Sequence, residues 1–508
     1  MHQAACRLGS LIALCLILAV PACLAAENLE LAKALQSITR DDLRKHVDVL
    51  ADDTFEGRES GGRGGHAAAG YLVKQLQDLK LTPAGERGSY YQAFAGNARN
   101  ILAVVEGSDP QLKQEVVAVG AHYDHVGYGS QRNSYGPWGY IHNGADDNAS
   151  GVAGLLEFAQ ALGELPQRPR RTILLAFWDG EEKGLLGSKH WVAAPIMPLS
   201  RLKCFLNIDM IGRLTNRRVE VYGTRSASGL RQLVSHANTS HLDLDLTWKI
   251  KDDSDHWPFF NRGVPVLMLH TGLHKDYHRP SDDAERINHA GLEEVSRLIC
   301  ETVLALANAD RLGQFRNESR RETEDVRRSL ERPAAAPLAR LGMTWRREEA
   351  DQVVRLRVLA VNRGSAAEHA GLRMGDVVRE LNGIAITDDG IFRQQVLAAA
   401  KSLLLTIERG TETARMMAVE LQGTPIRVGL MTREDLAEPG VVLVTHVVFG
   451  SPAASAGLQV ADRIDAVNGQ AFANVAEFNR LLDSSVDSLT LSCERRGQVS
   501  DKVLKLAP

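Results

Sequence analysis

Five short clusters of acidic and histidine residues could do chemistry together. They are Gly120-Ala-His122-Tyr-Asp124-His125, Gly144-Ala-Asp146-Asp147-Asn-Ala-Ser-Gly151, Asp179-Gly-Glu181-Glu182, Asn207-Ile-Asp209-Met210 and Asp276-Tyr-His278-Arg-Pro-Ser-Asp282. Carboxylates and imidazoles are the donors that zinc and its neighbours accept. The first, third and fourth clusters each follow an apolar run, a lead-in that a surface Asp or His does not need. Such a set suits amide hydrolysis. A pair of divalent ions about 3.5–4 Å apart, sharing one carboxylate, generates hydroxide and polarises a carbonyl. A carboxylate that binds no metal then moves the proton to the leaving amine. The adjacent side chains of Glu181 and Glu182 diverge, which suits one ligand and one proton shuttle. His122 and Asp124 share one side of a continuing strand, so Asp124 is expected to orient the imidazole instead of binding metal.

These residues need elements to bring them together. From about Glu27 to Asn308, short β-rich runs alternate with segments of helical period. The runs are 101–105, 116–119, 172–177, 205–208, 219–222 and 266–269, and the helical segments include 151–162 and 291–307. That alternation predicts an α/β domain whose sheet is largely parallel and flanked by helices. Ligands of such sheets bind beyond the carboxyl ends of the strands, where His122, Glu181, Glu182 and Asp209 all fall.

The bulk of the sequence bounds the rest. At 508 residues the chain exceeds one compact core. Its net charge of −4 argues against a nucleic-acid partner. Residues 1–26 have a basic start, an apolar stretch and small residues before Glu27, the pattern of a secretory signal. An exported protein, periplasmic or secreted, is expected. Val20-Pro-Ala-Cys23 also resembles a lipobox, and acylation of Cys23 would then tether the chain to a membrane. Cys204, Cys300 and Cys493 are too few and too dispersed for a disulfide framework.

Residues 310–337 are dense in charge and end in Pro333-Ala-Ala-Ala-Pro337, a linker expected to be solvated. Beyond it the chain repeats. Ser365-Ala-Ala-Glu-His-Ala-Gly371 through Gly375-Asp376 to Asn382-Gly383 recurs 86 positions later as Ser451-Pro-Ala-Ala-Ser-Ala-Gly457 through Ala461-Asp462 to Asn468-Gly469. A repeat of that length is a whole small domain. The copies, 338–422 and 424–508, resemble PDZ domains. The resemblance implies small β-rich folds whose loops Leu341-Gly342-Met343 and Val428-Gly429-Leu430 hold the carboxylate of a C-terminal peptide ligand. Ala461 stands where the first copy has Gly375, so the second copy's turn is expected to differ.

Residues 27–309 resemble the M28 family of zinc peptidases, the secreted aminopeptidase group. The resemblance rests on Asp52-Asp-Thr-Phe-Glu56-Gly-Arg58, on the five clusters, on Glu181-Glu182-Lys-Gly-Leu-Leu-Gly-Ser188 and on Ser254-Asp255-His256. It implies a zinc exopeptidase fold holding two Zn²⁺, or another divalent transition metal, and hydrolysing N-terminal peptide bonds of peptides and proteins through a water that bridges the metals. Carried over by position, Asp147 bridges, His122 and Asp209 complete one metal, and Glu182 and His278 complete the other. Glu181 is the general base and Asp124 the residue behind His122. His125 and His256 are not required, and Glu56 is expected to pair with Arg58. Some relatives place a Tyr three residues before the Ser of Ser-Asp-His to meet the oxyanion. Lys251 stands there, which leaves that role open between Lys251 and Tyr277. The same scaffold also carries carboxypeptidases and a single-zinc glutaminyl cyclotransferase, and a PDZ scaffold with a silent peptidase fold is the reading from another class.

Overall fold

The computed structural model describes residues 31–350, 353–485 and 487–506; the expected leader and Cys23 lie outside them. The chain falls into two compact units, one built on the residues up to Glu324 with Arg496–Gln498, the other on Asp325–Arg495 with the chain's end.

The first unit is organised by a nine-stranded sheet. Its strands are β1 (Thr82–Pro83), β2 (Tyr91–Ala93), β3 (Arg99–Val105), β4 (Val116–His122), β5 (Thr172–Trp178), β6 (Leu202–Ile208), β7 (Arg218–Tyr222), β8 (Asp243–Leu246) and β9 (Val266–His270). The order is β1-β3-β5-β4-β6-β9-β7-β8, with β2 also on β3. The middle of the sheet, β5-β4-β6-β9, is parallel. Antiparallel pairing enters where β3 meets β5 and where β7 meets β9. Every residue of β4, β5 and β9 is buried, which is why these strands read as unbroken apolar runs and not as an alternation.

Helices α1 (Arg40–Leu50), α2 (Arg63–Asp78), α3 (Gly151–Glu164), α4 (Leu186–Ala193), α5 (Leu230–Ala237), α6 (His256–Asn261) and α7 (His289–Asn308) accompany the sheet. One core joins α1, α2, α3, α5 and α7 to the sheet through Leu43, Leu72, Leu156, Val234 and Ile299. A second packs Trp191 of α4 and Phe259 of α6 against Trp178 and Phe205. The rings of Phe205 and Phe259 stack at 4.1 Å. Two covered faces are what a parallel centre requires. Cys204 and Cys300 are buried free thiols in the first core.

Part of the segment expected to be solvated is docked instead. Glu322 accepts hydrogen bonds from Arg225 at 2.9 and 2.8 Å and from Arg316 at 3.0 Å, and Arg225 lies 3.6 Å over the ring of Trp248. Charge density in the sequence did not distinguish ion-paired residues from hydrated ones.

The second unit holds two six-stranded antiparallel sheets of the same order. The first runs β10 (Met343–Ala350), β11 (Val353–Val361), β12 (Val377–Leu381), β14 (Ser402–Glu408) and β15 (Arg415–Glu420), with β13 (Ile384–Ala385) on β12. The second runs β16 (Leu430–Glu434), β17 (Val442–Val447), β18 (Arg463–Val467), β20 (Ser488–Arg495) and β21 (Gln498–Lys505), with β19 (Gln470–Ala471) on β18. The copies share details. Asp376 is gripped by Arg409 at 2.7 Å, and Asp462 by Arg495 at 2.6 Å. Gly342 and Gly429 both have positive φ, and a Cβ on either would meet the Ser365 or Ser451 side chain at 2.3 or 2.1 Å. The expected difference between the turns is not there. Gly375 has φ +91° and Ala461 φ +74°, so alanine takes the left-handed conformation that glycine takes without steric cost.

Candidate metal centre

The carboxyl ends of β4, β5 and β6 deliver the first groups. His122 is the last residue of β4, Glu181 and Glu182 follow β5, and Asp209 follows β6. Asp147 comes from the turn before α3, and His278 from the long loop after β9.

These side chains converge on Asp147. Its Oδ1 lies 3.3 Å from His122 Nε2, and its Oδ2 lies 3.0 Å from His278 Nε2. Asp209 Oδ1 stands 3.4 Å from His122 Nε2, and Glu182 Oε2 stands 3.2 Å from His278 Nε2. The result is two donor groups with Asp147 common to both: His122, Asp147 and Asp209, and His125, Asp147, Glu182 and His278. Zinc bonds of about 2.0–2.1 Å in tetrahedral array put neighbouring donors about 3.3 Å apart, the spacing found here.

Charge makes the same case for a cation. Burial opposes ionisation of Asp147, yet hydrogen bonds from His122 and His278 hold its carboxyl well below the usual range. Burial likewise opposes an imidazolium at His278, but Asp147 and Glu182 outweigh it and push that pKa to about 11. His122 is raised well above its ordinary value against its own burial, by Glu181 and Asp209 first. The carboxylates thus favour positive charge on His122 and His278. Divalent ions would supply that charge and leave the imidazoles neutral, the form that binds metal.

The surroundings fix each donor. Asp282 Oδ2 accepts the backbone N–H groups of Asp146 and Asp147 at 3.0 and 3.1 Å. Asn148 ties that turn to the end of β6, donating to Ile208 O and accepting from Met210 N. Asp146 does not face the centre. Its carboxylate takes Gly212 N–H at 2.6 Å and lies 3.1 Å from His274 Nε2. Asp209 Oδ2 accepts from Ser254 Oγ at 2.6 Å, and Ser254 Oγ in turn accepts from Asn207 at 2.8 Å.

Several expectations change in detail. The carboxylate of Asp124 lies 3.8 Å from His122 Nδ1, whose nearer partner is the Asp124 backbone carbonyl at 3.1 Å. Oδ1 and Oδ2 of Asp124 accept instead from the backbone N–H groups of Glu181 and Glu182, at 3.1 and 3.4 Å. Asp124 thus steadies the turn carrying both glutamates. Arg58 does not pair with Glu56, which meets Arg63. The buried Arg58 guanidinium donates to the carbonyls of Leu50, Tyr123, Asn143 and Gly144, pinning two of the motif loops together. Burial lowers its pKa to about 10, against the pull of Asp147 and Asp124. His256 meets Lys251 O at 2.8 Å, a loop contact.

Sequence reasoning passed over His125. Its Nδ1 lies 2.8 Å from Glu182 Oε1 and 3.7 Å from Asp147 Oδ2. Its place one residue after Asp124 was the available signal. Lys251 points elsewhere, donating to Tyr222 Oη at 3.0 Å. Tyr277 stacks on His278 at 3.9 Å. Burial, then the carboxylates of Asp147, Glu182, Asp209 and Glu181, push its hydroxyl pKa up. Those charges put the phenol within the field of the centre. Glu181 is raised well above the usual range, by burial first and then by Glu182, Asp255 and Asp209.

Residues 100–303 match peptidase family M28, and residues 357–409 and 443–492 match the PDZ domain. The chain is 28% identical over 277 residues to leupeptin-inactivating enzyme 1 of Streptomyces exfoliatus, covering 53% of this chain and 57% of that one. It is 29% identical over 201 residues to a probable glutamate carboxypeptidase, VP8, of Zea mays, covering 39% and 24%. It is 27% identical over 243 residues to aminopeptidase YwaD of Bacillus subtilis, covering 46% and 50%. The chain thus spans less than two thirds of each of these relatives.

Proposed function

Taking as premise that residues 100–303 are an M28 peptidase domain followed by two PDZ domains, we propose that the protein is an exported di-zinc aminopeptidase. The observation that carries the proposal is Asp147, whose two carboxylate oxygens each face a different imidazole, at 3.3 and 3.0 Å. His122, Asp147 and Asp209 would hold one ion, and Asp147, Glu182 and His278 the other. When bound, such ions supply a Lewis acid and lower the pKa of water toward neutrality.

The chain's own groups do the rest. Glu181 takes the proton of the attacking water and returns it to the nitrogen of the departing amine. Its carboxylate makes no hydrogen bond among the described residues, so it is free to move a proton. The Tyr277 hydroxyl is the donor available to the developing oxyanion. Asp124 holds Glu181 and Glu182 in place through their main-chain N–H groups.

The charge pattern favours an amino terminus over a carboxyl terminus. Carboxylates crowd the centre, while the nearby arginines are already engaged. Arg58 serves four carbonyls, Arg213 serves Asp276 and Asp282, and Arg279 serves the carbonyls of Tyr135 and Gly136. A chelator should abolish turnover of leucyl-p-nitroanilide, and zinc should restore it. N-acetylation of a peptide should block its cleavage, whereas a carboxypeptidase would cleave it regardless. For the repeats, the edge strands β10 and β16 and the Gly342 and Gly429 loops support capture of peptide C-termini.

A further inference from the structure

The segment between the first two motifs, Gly127–Asn143, carries four aromatic residues in thirteen positions, and all four face solvent. Tyr128 is 48% exposed, Tyr135 66%, Trp138 50% and Tyr140 62%. Exposed rings gathered in one short stretch cost hydration free energy and mark interaction surfaces. This stretch is also fastened to the metal centre. Tyr135 N–H and Ser134 Oγ both donate to the carbonyl of His278, at 3.1 and 3.0 Å. Arg279 donates to the carbonyls of Tyr135 and Gly136, at 3.0 Å each, and its guanidinium lies 5.8 Å from the Tyr135 ring. Tyr135 stands 6.1 Å from the ring of Tyr277 and 6.4 Å from that of His278. Gly139 N–H donates to Tyr128 O at 2.8 Å, closing the segment on itself.

We propose that this segment is the specificity surface of the peptidase, receiving a bulky apolar side chain next to the scissile bond. The inference rests on the aminopeptidase reading. The anchoring argues for that occupant. A segment held by main-chain and guanidinium hydrogen bonds loses little freedom on binding, so its rings are pre-organised for a ligand. The anchor is the backbone of His278 itself, so what docks on the rings lies beside the reacting bond. Tyrosine and tryptophan present large apolar faces at small entropic cost, which suits aromatic and large aliphatic side chains.

Trp138 gives a readout independent of turnover. Trp178, Trp191 and Trp248 are buried and Trp257 and Trp345 partly buried, whereas half of Trp138 is open to solvent, so the signal assigned to Trp138 is the part that Trp138→Phe removes. In the full-length, zinc-loaded Glu181→Gln variant, iodide quenching of tryptophan fluorescence would be measured with Phe-Phe-Ala and with Ala-Ala-Ala. Phe-Phe-Ala should shield an indole from iodide, and Trp138→Phe in the same background should remove the effect. In the active protein, the preference in kcat/KM for Phe-Phe-Ala over Ala-Ala-Ala should fall roughly ten- to hundredfold in Trp138→Ala/Tyr135→Ala, with the milder Trp138→Phe falling between. An unchanged preference, together with unchanged quenching at saturating Phe-Phe-Ala, overturns the proposal. If the protein cleaves neither peptide while Phe-Phe-Ala still shields Trp138, the aminopeptidase reading fails and the docking surface stands.

Discussion

Replacing Glu181 with glutamine separates proton transfer from the scaffold around it. The backbone N–H of Glu181 donates to Asp124 Oδ1 at 3.1 Å, a contact the substitution does not touch. The side chain has no hydrogen bond to lose, and glutamine has nearly the same volume. The proposed metal donors, His122, Asp147, Glu182, Asp209 and His278, are left in place, so zinc content should be unaltered. What disappears is the capacity to accept a proton. A positioned general base contributes roughly 10²- to 10⁴-fold, which at about 1.4 kcal/mol per decade is about 3–5 kcal/mol of barrier. Burial and the carboxylates of Glu182, Asp255 and Asp209 hold Glu181 above the usual range, suiting it to keep the proton between uptake and delivery. Glu181 must be ionised to act as a base, so activity rises with pH as it deprotonates, and the variant should lose that limb of the profile. The assay is kcat/KM on leucyl-p-nitroanilide against pH, with zinc and the thermal midpoint measured on the same preparation. A loss below tenfold at full zinc, or an unchanged acidic limb, would refute the assigned role. Loss of activity in step with loss of zinc would make Glu181 part of the metal site instead.

Other substitutions test the surroundings. His125→Ala removes the 2.8 Å contact to Glu182 and should weaken zinc binding at the Glu182–His278 side by about 10- to 100-fold; equilibrium dialysis giving two wild-type affinities would contradict this. Asp255 is fully buried, and burial raises its pKa to about 7. Because the folded value exceeds the unfolded one, its ionisation lowers stability as pH rises from about 4 to about 7, by up to about 4 kcal/mol. The stability advantage of Asp255→Asn, measured by denaturant unfolding of metal-free protein, should therefore be larger at pH 8 than at pH 5, and a gap independent of pH would be wrong for this account. Ala461→Gly relieves a left-handed alanine and should stabilise the second repeat by about 0.5–1 kcal/mol; a lower unfolding midpoint would show that the turn carries no strain.

The sequence made the parallel centre legible because β4, β5 and β9 are buried on both faces and therefore unbroken in apolar character. The marginal strands escaped notice for the opposite reason. β1 and β2 are two and three residues long, and β8, Asp243-Leu-Asp-Leu246, alternates too briefly to stand out. The candidate donors His122, Glu182 and Asp209 were legible because each lies at or just beyond the carboxyl end of a strand, whereas Asp147 and His278 lie on connecting segments and rested on motif alone. Their supports were not. Arg58 reaches carbonyls as far away as Gly144, and Asp282 accepts from residues 136 and 135 positions earlier, relations that spacing does not encode. Asp124 was read as the partner of His122 from the period of the strand, but the strand ends at His122 and the carboxylate turns toward the next loop. The aromatic segment was passed over because isolated tyrosines in a glycine-rich loop carry no periodic signal.

The central claim is that Asp147 sits between two ions, and metal stoichiometry tests it most directly. Elemental analysis of the zinc-saturated full chain should give two zinc ions per polypeptide, falling to about one in Asp147→Asn as the shared carboxylate loses an oxygen donor. Two tightly held ions in that variant, or no more than one in the wild type, would contradict the account.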